Sequence, residues 1–329
     1  MSPRATPIRT GLIGRGVGGR AFHSPLLTAL PEFDLAVISG AADAATTAVA
    51  ADLELIVIST PNVTHHALAR AALEAGKHVV VDKPFTLTVG EADDLIDLAR
   101  HVERMLTVFH NRRWDGDFLT VRKLLAEVMI GQPMLVEAHW DRFRPAIKVG
   151  WREVAGPGTG LLNDLGSHMI DQALCLFGKP GAISADVQCQ RGDAQVDDYF
   201  DLTLFYDQVR VRLAASTLVA DPRPRFAVYG TEGSFVKHGL DPQEAALRSG
   251  ADPLGVGFGV DKHDGMTTVG QRSERWPTEQ GRYIDFYRSV AASVRSGVPP
   301  PVDPLDAREG MRLIALARDS AAQSRALPA

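Results

Sequence analysis

Apolar residues gather in short blocks divided by glycine- and proline-bearing turns, and the rhythm of the blocks changes near residue 115. In the first stretch, residues 8–13, 33–39, 55–59, 79–81 and 106–109 read as strands. Two of these lie in the near-continuous runs LELIVIST and GKHVVVDKP, the pattern of parallel strands buried on both faces. Between them, residues 20–30, the alanine-rich AADAATTAVAAD, 67–75 and 91–103 carry helical patterns, so the stretch is a series of βα units. After a helix over 116–127 and a strand over 134–140, the spacing shifts to polar/apolar alternation. Segments 182–190, 198–205, 209–218 and 224–230 predict an antiparallel or mixed sheet, with a short addition at Phe235 and Val236. Residues 250–270 read as a long excursion, and helical patterns return at 283–295 and 305–320. The expectation is an α/β protein with a dinucleotide-binding domain over 1–115 and a second α/β domain over 116–329.

Composition narrows the class without naming a chemistry. A chain of 329 residues, 45% hydrophobic, with 35 Lys and Arg against 40 Asp and Glu, is neither disordered nor fibrous and holds two ordinary domains. Its net charge of −5, with no long basic run, argues against a nucleic-acid surface. Two cysteines, Cys175 and Cys189, leave no disulfide framework and no thiolate metal cluster. No apolar block reaches the length of a membrane span and no signal region precedes the first strand, so the expected location is cytoplasmic. The pairs Arg112-Arg113 and Arg142/Arg144 read as solvated surface or small-anion contacts.

The first sharp motif is Gly14-Arg15-Gly16-Val17-Gly18-Gly19, between the first strand and a helix. Gly14 permits a tight turn, Gly16 lets the backbone approach a pyrophosphate and Gly19 allows close helix–strand packing. The helix N-terminus then offers N–H groups to the anion. About 20 residues on, where an acidic side chain commonly holds the ribose of NAD, stand Ser39-Gly40. Without that acid the chemistry leans toward NADP, with Arg15 as a phosphate partner and Ser39 as a second candidate cofactor contact, and NAD remains the alternative. Thr60-Pro61-Asn62-Val63-Thr64-His65-His66 follows the third strand at the sheet's ligand-binding end; Thr60, Pro61, Asn62 and His65 are candidate cofactor contacts. His65 and His66 can equally be surface groups.

Lys83, in Asp82-Lys83-Pro84 after the valine strand, stands where an ammonium can hydrogen-bond a substrate oxygen and a bound cofactor, or simply be solvated. In GTGLLNDLGSHMIDQALCLFG, residues 158–178, Asp164 and His168 are four apart and share one side of a helix. Histidine can take a hydroxyl proton, and a neighbouring carboxylate can orient its ring. A metal site at these residues and Asp171 has less support, because no HExxH arrangement accompanies them. The loop WDRFRPAIKVGWRE groups Trp140, Arg142, Arg144, Lys148 and Trp151, a composition suited to polyhydroxyl recognition and also to anchoring a long loop.

Three ordered signatures, GLIGRGVGGRAFHSPLL, VISTPNVTHHALARAALEAGKHVVVDKP and GLLNDLGSHMIDQAL, resemble the Gfo/Idh/MocA oxidoreductase family over almost the whole chain. The resemblance implies an N-terminal NAD(P)-binding Rossmann domain and a C-terminal α/β domain whose mostly antiparallel sheet supports substrate binding and often dimerisation, so a homodimer or higher homo-oligomer is expected. It also implies that Lys83 matches the family's catalytic lysine, and Asp164 and His168 its polar pair, acting on a sugar, inositol, polyol or ketose; Arg142 and Trp151 join them as candidate substrate contacts on the composition of their loop alone. WDRFRP and DPQEAALRSG look similar to the NADP-dependent scyllo-inositol dehydrogenase branch. Two departures stand out: the segment after Ser39 is short by one strand and helix, and Gly40 occupies a position where that branch leads one to expect arginine. A ligand sensor that kept the fold without catalysis, and an NAD-dependent enzyme of net non-redox carbohydrate chemistry, are the competing readings.

Overall fold

The computed structural model describes residues 6–148, 150 and 153–329. In chain order its first elements are β1 (Ile8–Ile13), α1 (Ser24–Thr28), β2 (Phe33–Ser39), α2 (Ala44–Ala48), β3 (Leu55–Ile58), α3 (His65–Glu74), β4 (His78–Val81), α4 (Val89–His101) and β5 (Leu106–Val108). There follow α5 (Gly116–Ala126), β6 (Pro133–His139), α6 (Ser167–Phe177), β7 (Ala182–Gln188), β8 (Tyr199–Phe205), β9 (Arg210–Ser216), β10 (Phe226–Gly230), β11 (Gly233–Lys237) and α7 (Gln243–Arg248). The last are β12 (Gly265–Val269), β13 (Arg272–Trp276), α8 (Ile284–Ser296), α9 (Pro304–Gln323) and β14 (Leu327–Pro328).

The chain divides into two compact units. The first is the chain up to Trp114 together with Pro242–Gly259 and Arg282–Arg308; the second is Asp115–Asp241, Val260–Gly281 and Glu309–Ala329. In the first, all strand pairs are parallel, in the order β2-β1-β3-β4-β5. Residues Leu55 to Ile58 and Val79 to Val81 are fully buried, which is why these strands read as unbroken apolar runs. The usual dinucleotide sheet carries a further strand outside the second. Here β2 is the edge, and α2 is the one short helix between β2 and β3. The return segments dock on the same unit: the Arg112 guanidinium donates to Glu244 and to the Tyr283 hydroxyl, and Gln243 bonds Trp114 O and Tyr283 N. Arg112, read above as solvated or anion-binding, is thus buried and paired.

The second unit is built on a nine-stranded sheet, β13-β12-β11-β10-β6-β9-β8-β7-β14, in which β6 with β9 is the parallel pair and the other neighbours are antiparallel. Along β8, Phe200, Leu202 and Leu204 face inward while the residues between them are half-exposed, the period of two expected of a sheet with one covered face. They join Phe118, Val121 and Leu124 of α5, Met169, Ile170 and Ala173 of α6, and Leu313 and Ala317 of α9 in one core. Truncating any one of the leucines to alanine costs about 2–5 kcal/mol.

Three local expectations change. The helix expected over 20–30 begins instead as a π-helical turn, Gly18–His23, and ends at Thr28; adjacent glycines carry a low helix propensity, about 1 kcal/mol each relative to alanine. The segment 158–178 likewise opens on a π-helical turn, Leu162–Gly166, whose start is tied outward: Leu161 N and Leu162 N donate to the backbone and carboxylate oxygens of Asp197. The excursion over 250–270 ends in a strand, and β12 turns at Gly270 into β13, whose side chains are almost all exposed.

Candidate active site

The glycine-rich turn sits at the carboxyl end of β1. Gly14 has φ +136°, and a Cβ there would lie 2.0 Å from Ser59 O. A Cβ on Gly19 would lie 2.0 Å from Gly14 O, so the two ends of the turn touch through bare backbone. A Cβ on Gly16, by contrast, meets nothing within 4 Å, and Val17 is 46% exposed. The turn therefore closes tightly at its ends and leaves its middle open, the shape a pyrophosphate requires.

Beside it, Arg15 donates from Nη2 to Ile38 O (3.2 Å), and its guanidinium carbon lies 4.0 Å from where a Gly40 Cβ would be. A cation thus covers the end of β2, the position at which an acidic side chain would select the ribose diol. Ser39, the other candidate there, is 2% exposed and its hydroxyl has no hydrogen-bond partner among the described residues.

The loops after β3 and β4 are joined by a buried ring. His65 sets Nδ1 2.8 Å from Pro84 O and Nε2 3.0 Å from Thr60 O, and it is fully buried. It shapes the Thr60-Pro61-Asn62 turn, where the Thr64 hydroxyl donates to Thr60 Oγ1 (2.7 Å) and also bonds Pro61 O; Pro61 is exposed and Asn62 buried. His66 instead pairs with Asp94 on α4.

Lys83 stands two residues past the end of β4, half-buried, and its backbone N–H donates to Asp82 Oδ1 (2.8 Å). The peptide between Lys83 and Pro84 is cis. On its far side the loop runs into a capping box, with Glu91 N donating to Thr88 Oγ1 and Thr88 N to Glu91 Oε2, which fixes the start of α4 and stabilises it by about 1 kcal/mol.

Asp82 gathers further contacts. Its Oδ2 accepts from the Ser59 hydroxyl (2.9 Å), lies 3.6 Å from His23 Nε2, and is 2.8 Å from where a Gly18 Cβ would stand. His23 Nδ1 is 2.6 Å from the Tyr287 hydroxyl. Burial, and then the charge of Asp82, push the Tyr287 phenol well above its ordinary range, so it stays protonated and can donate to Nδ1, placing the remaining ring proton on Nε2, toward Asp82. Burial pushes the Asp82 carboxyl up, but the hydrogen bonds from His23 and Ser59, with the charges that His23 and His65 carry when protonated in acid, more than offset it and hold the group down at about 2. One carboxylate thereby links the phosphate turn, the end of β3 and the lysine loop.

In the second unit, Asp164 lies on the π-helical turn and His168 in the first turn of α6. The continuous α-helix that would align them is interrupted between the two. His168 is 6% exposed, and its ring lies 6.3 Å from that of Trp140, tilted by 31°. Trp140 in turn carries the Arg225 guanidinium 4.8 Å from its ring centre; Arg225 Nη2 donates to Gln172 Oε1 (2.8 Å), four residues after His168.

Asp164 opens onto a cavity of about 220 Å³ that is also lined by Arg142, Arg144, Lys148, Arg191 and Asp197. The catalytic and substrate-binding candidates of this unit are thus Asp164 and Arg142 on the cavity wall and His168 in the adjoining helix; Trp151 lies outside the described residues. Arg191 escaped sequence reasoning. It is buried, donates to Asp198 Oδ2 (2.8 Å) and Glu153 Oε2 (2.7 Å), and bonds the carbonyl oxygens of Arg144 and Ala146. Its partners are 7 and 38 residues away, so no local spacing announces the cluster. Among the described residues, no group of three or more His, Cys, Asp and Glu is placed to hold a metal ion, and no helix is long and apolar enough to cross a membrane.

A parallel sheet with an open-centred glycine turn, followed by an α/β unit on a broad mixed sheet, defines an oxidoreductase of the Rossmann type. Residues 37–110 match the oxidoreductase family's NAD-binding Rossmann fold and residues 122–328 its C-terminal alpha/beta domain; the chain belongs to the Gfo/Idh/MocA oxidoreductase family. It is 44% identical to the oxidoreductase YdgJ of Escherichia coli (strain K12) over 95% of this chain and 96% of that one. It is 36% identical to scyllo-inositol 2-dehydrogenase (NADP(+)) IolW of Bacillus subtilis (strain 168), over 97% and 95%. The solved structure of yvaA from Bacillus subtilis superposes with a TM-score of 0.95 at 35% identity, covering 99% of this chain and 100% of that one.

Proposed function

We propose that this oxidoreductase is an NAD(P)-dependent dehydrogenase or reductase acting on a CH–OH group of a sugar, inositol or related polyol. The observation that carries the reading is the conjunction, in one parallel sheet, of a glycine turn open at Gly16 with Lys83 held two residues past the end of β4. The dinucleotide would be held by Gly14 to Gly19 at its phosphates, by Thr60, Pro61 and Asn62 along the second loop, and by Arg15 at the adenosine ribose. The cation at the end of β2, with Ser39-Gly40 in place of the usual acid, favours the 2′-phosphate of NADP, and IolW, similar along nearly its whole length, is named as NADP-dependent.

When bound, the nicotinamide supplies or accepts the hydride. The protein's part is proton and oxygen chemistry: His168 takes the hydroxyl proton during oxidation and returns it in reduction, Lys83 hydrogen-bonds the reacting oxygen, and Asp164 orients the substrate or the base. NAD(P)H formation over a panel of polyols, with ketoses for the reverse direction, tests this. Wild type is expected to turn over at least one member, and Lys83→Ala and His168→Ala each to lose about 10²-fold or more in kcat. Activity retained by both variants would sink the assignment, and failure to bind either dinucleotide would favour a ligand sensor.

A further inference from the structure

The cavity beside Asp164 has an uneven charge economy. Four carboxylates and four cations line it, namely Glu153, Asp164, Asp197 and Asp198 with Arg142, Arg144, Lys148 and Arg191. Glu153, Asp197 and Asp198 are each tied to an arginine. Asp198 accepts from Gln190 N, Arg191 N and Arg191 Nε; burial pushes its carboxyl up, yet these bonds hold it below the usual range. Asp197 takes Arg318 and the Leu162 N–H, and Glu153 takes Arg191. Arg191 is consumed by the same bonds. Arg144 and Lys148, by contrast, have no carboxylate in ion-pair range among the described residues, and both are exposed.

The backbone from Arg142 to Ala146 is anchored. Arg142 N donates to Ser216 O (2.9 Å), Arg144 N to Thr217 O (2.7 Å), and Phe143 bridges to Leu218. Arg191 reaches the carbonyl oxygens of Arg144 and Ala146 from beneath. Arg144, on backbone anchored to the sheet, and Lys148, four residues further on, are therefore both presented at a monosaccharide-sized cavity with no carboxylate in ion-pair range among the described residues. Side chains serving only as solvated surface need no such anchoring, and a neutral polyol gives them no counter-charge.

We infer that the molecule this cavity takes is a sugar acid or sugar phosphate, its anionic oxygens held by Arg144 and Lys148 and its hydroxyls near Asp164. The inference rests on the proposed polyol chemistry for its second half and on the cavity alone for its first.

The test is calorimetric binding to the full chain of three probes, myo-inositol, D-gluconate and D-glucose 6-phosphate, at low and high salt, for wild type and for the double variant Arg144→Gln with Lys148→Gln. Wild type is expected to bind one of the anionic probes at least about tenfold more tightly than myo-inositol, with the preference shrinking at high salt. In the double variant the ratio of anionic to neutral affinity is expected to fall about tenfold. Gluconate tighter than the phosphate identifies a carboxylate substrate, and the reverse order a phosphorylated one. Equal affinities for all three probes, or a ratio untouched by the double substitution, overturns the inference. The two proposals fail separately: an anionic preference without dinucleotide-dependent turnover removes the dehydrogenase reading alone, and robust turnover of neutral polyols without that preference removes this inference alone.

Discussion

Both units bring carboxylates and cations together beside a candidate site, but they use them differently. Around Asp82 the charges are turned inward: a carboxylate, two histidines and a phenol are spent on one another and on backbone, and what they hold is the position of the Lys83 loop. Around the cavity of the second unit the inner charges are locked together by Arg191, while Arg144 and Lys148 on the rim are exposed. The difference teaches that residue type does not tell role. Substituting the inward groups is expected to change stability, and substituting the rim groups to change what binds.

The largest effect expected is at Arg191. Replacing it with methionine leaves Asp198, 1% exposed, without its cation and is expected to cost about 3–5 kcal/mol in urea unfolding, whereas Arg144→Gln should leave the midpoint within error. Equal shifts for the two would erase the distinction between locked and rim charges. Next is Gly19→Ala. Its Cβ would meet Gly14 O at 2.0 Å, so a loss of about 3 kcal/mol together with failure to bind dinucleotide is expected; wild-type binding in this variant would show that the turn relaxes freely.

Asp82→Asn sharpens the inward side. A carboxyl held down at about 2, below its ordinary 3.8, contributes stability that is present above pH 4 and lost as pH falls through 2, roughly 2 kcal/mol in all. The variant should therefore be less stable at neutral pH and show a flatter acid limb between pH 4 and 2, measured by denaturant unfolding at each pH. An unchanged limb would mean that Asp82 is not tied to His23 in solution. The smallest effect concerns Arg15→Ala, for which the ratio of NADP to NAD affinity is expected to drop about tenfold with little change in NAD binding; a constant ratio would assign the 2′-phosphate to another group.

Much of this was legible in the chain. β1, β3 and β4 announce themselves because strands buried on both faces need apolar residues throughout, and the glycine turn does so because its ends touch as bare backbone. The shortened crossover after Gly40 was also readable, and β2 is the sheet's edge accordingly. Other features left no signal. β13 is exposed along nearly its whole length, so it has no apolar period to detect, and α7 is too short to build one. The glycine pair that opens the π-helical turn Gly18–His23 lowers helix propensity without specifying a π-turn, and the turn at Leu162–Gly166 is likewise not set apart by its residue types. The burial of Arg112 and Arg191 depends on partners far along the chain, Glu244 for one and Glu153 for the other. His65 looked like an edge-of-site group, yet its ring is enclosed between two loop carbonyls.

The place of β2 bears on how this molecule changes over generations. A strand in the middle of a sheet cannot be lost without breaking the register on both sides, whereas a terminal strand takes only its own pairings with it. With β2 outermost, and Val37 and Ile38 each 36% exposed, the chain after Gly40 is the point where a whole strand-and-helix module can be deleted or grafted while β1, β3, β4 and β5 keep their partners. An insertion there would remodel the end of β2 beside Arg15 while leaving the hydrogen bonds of Asp82 in place.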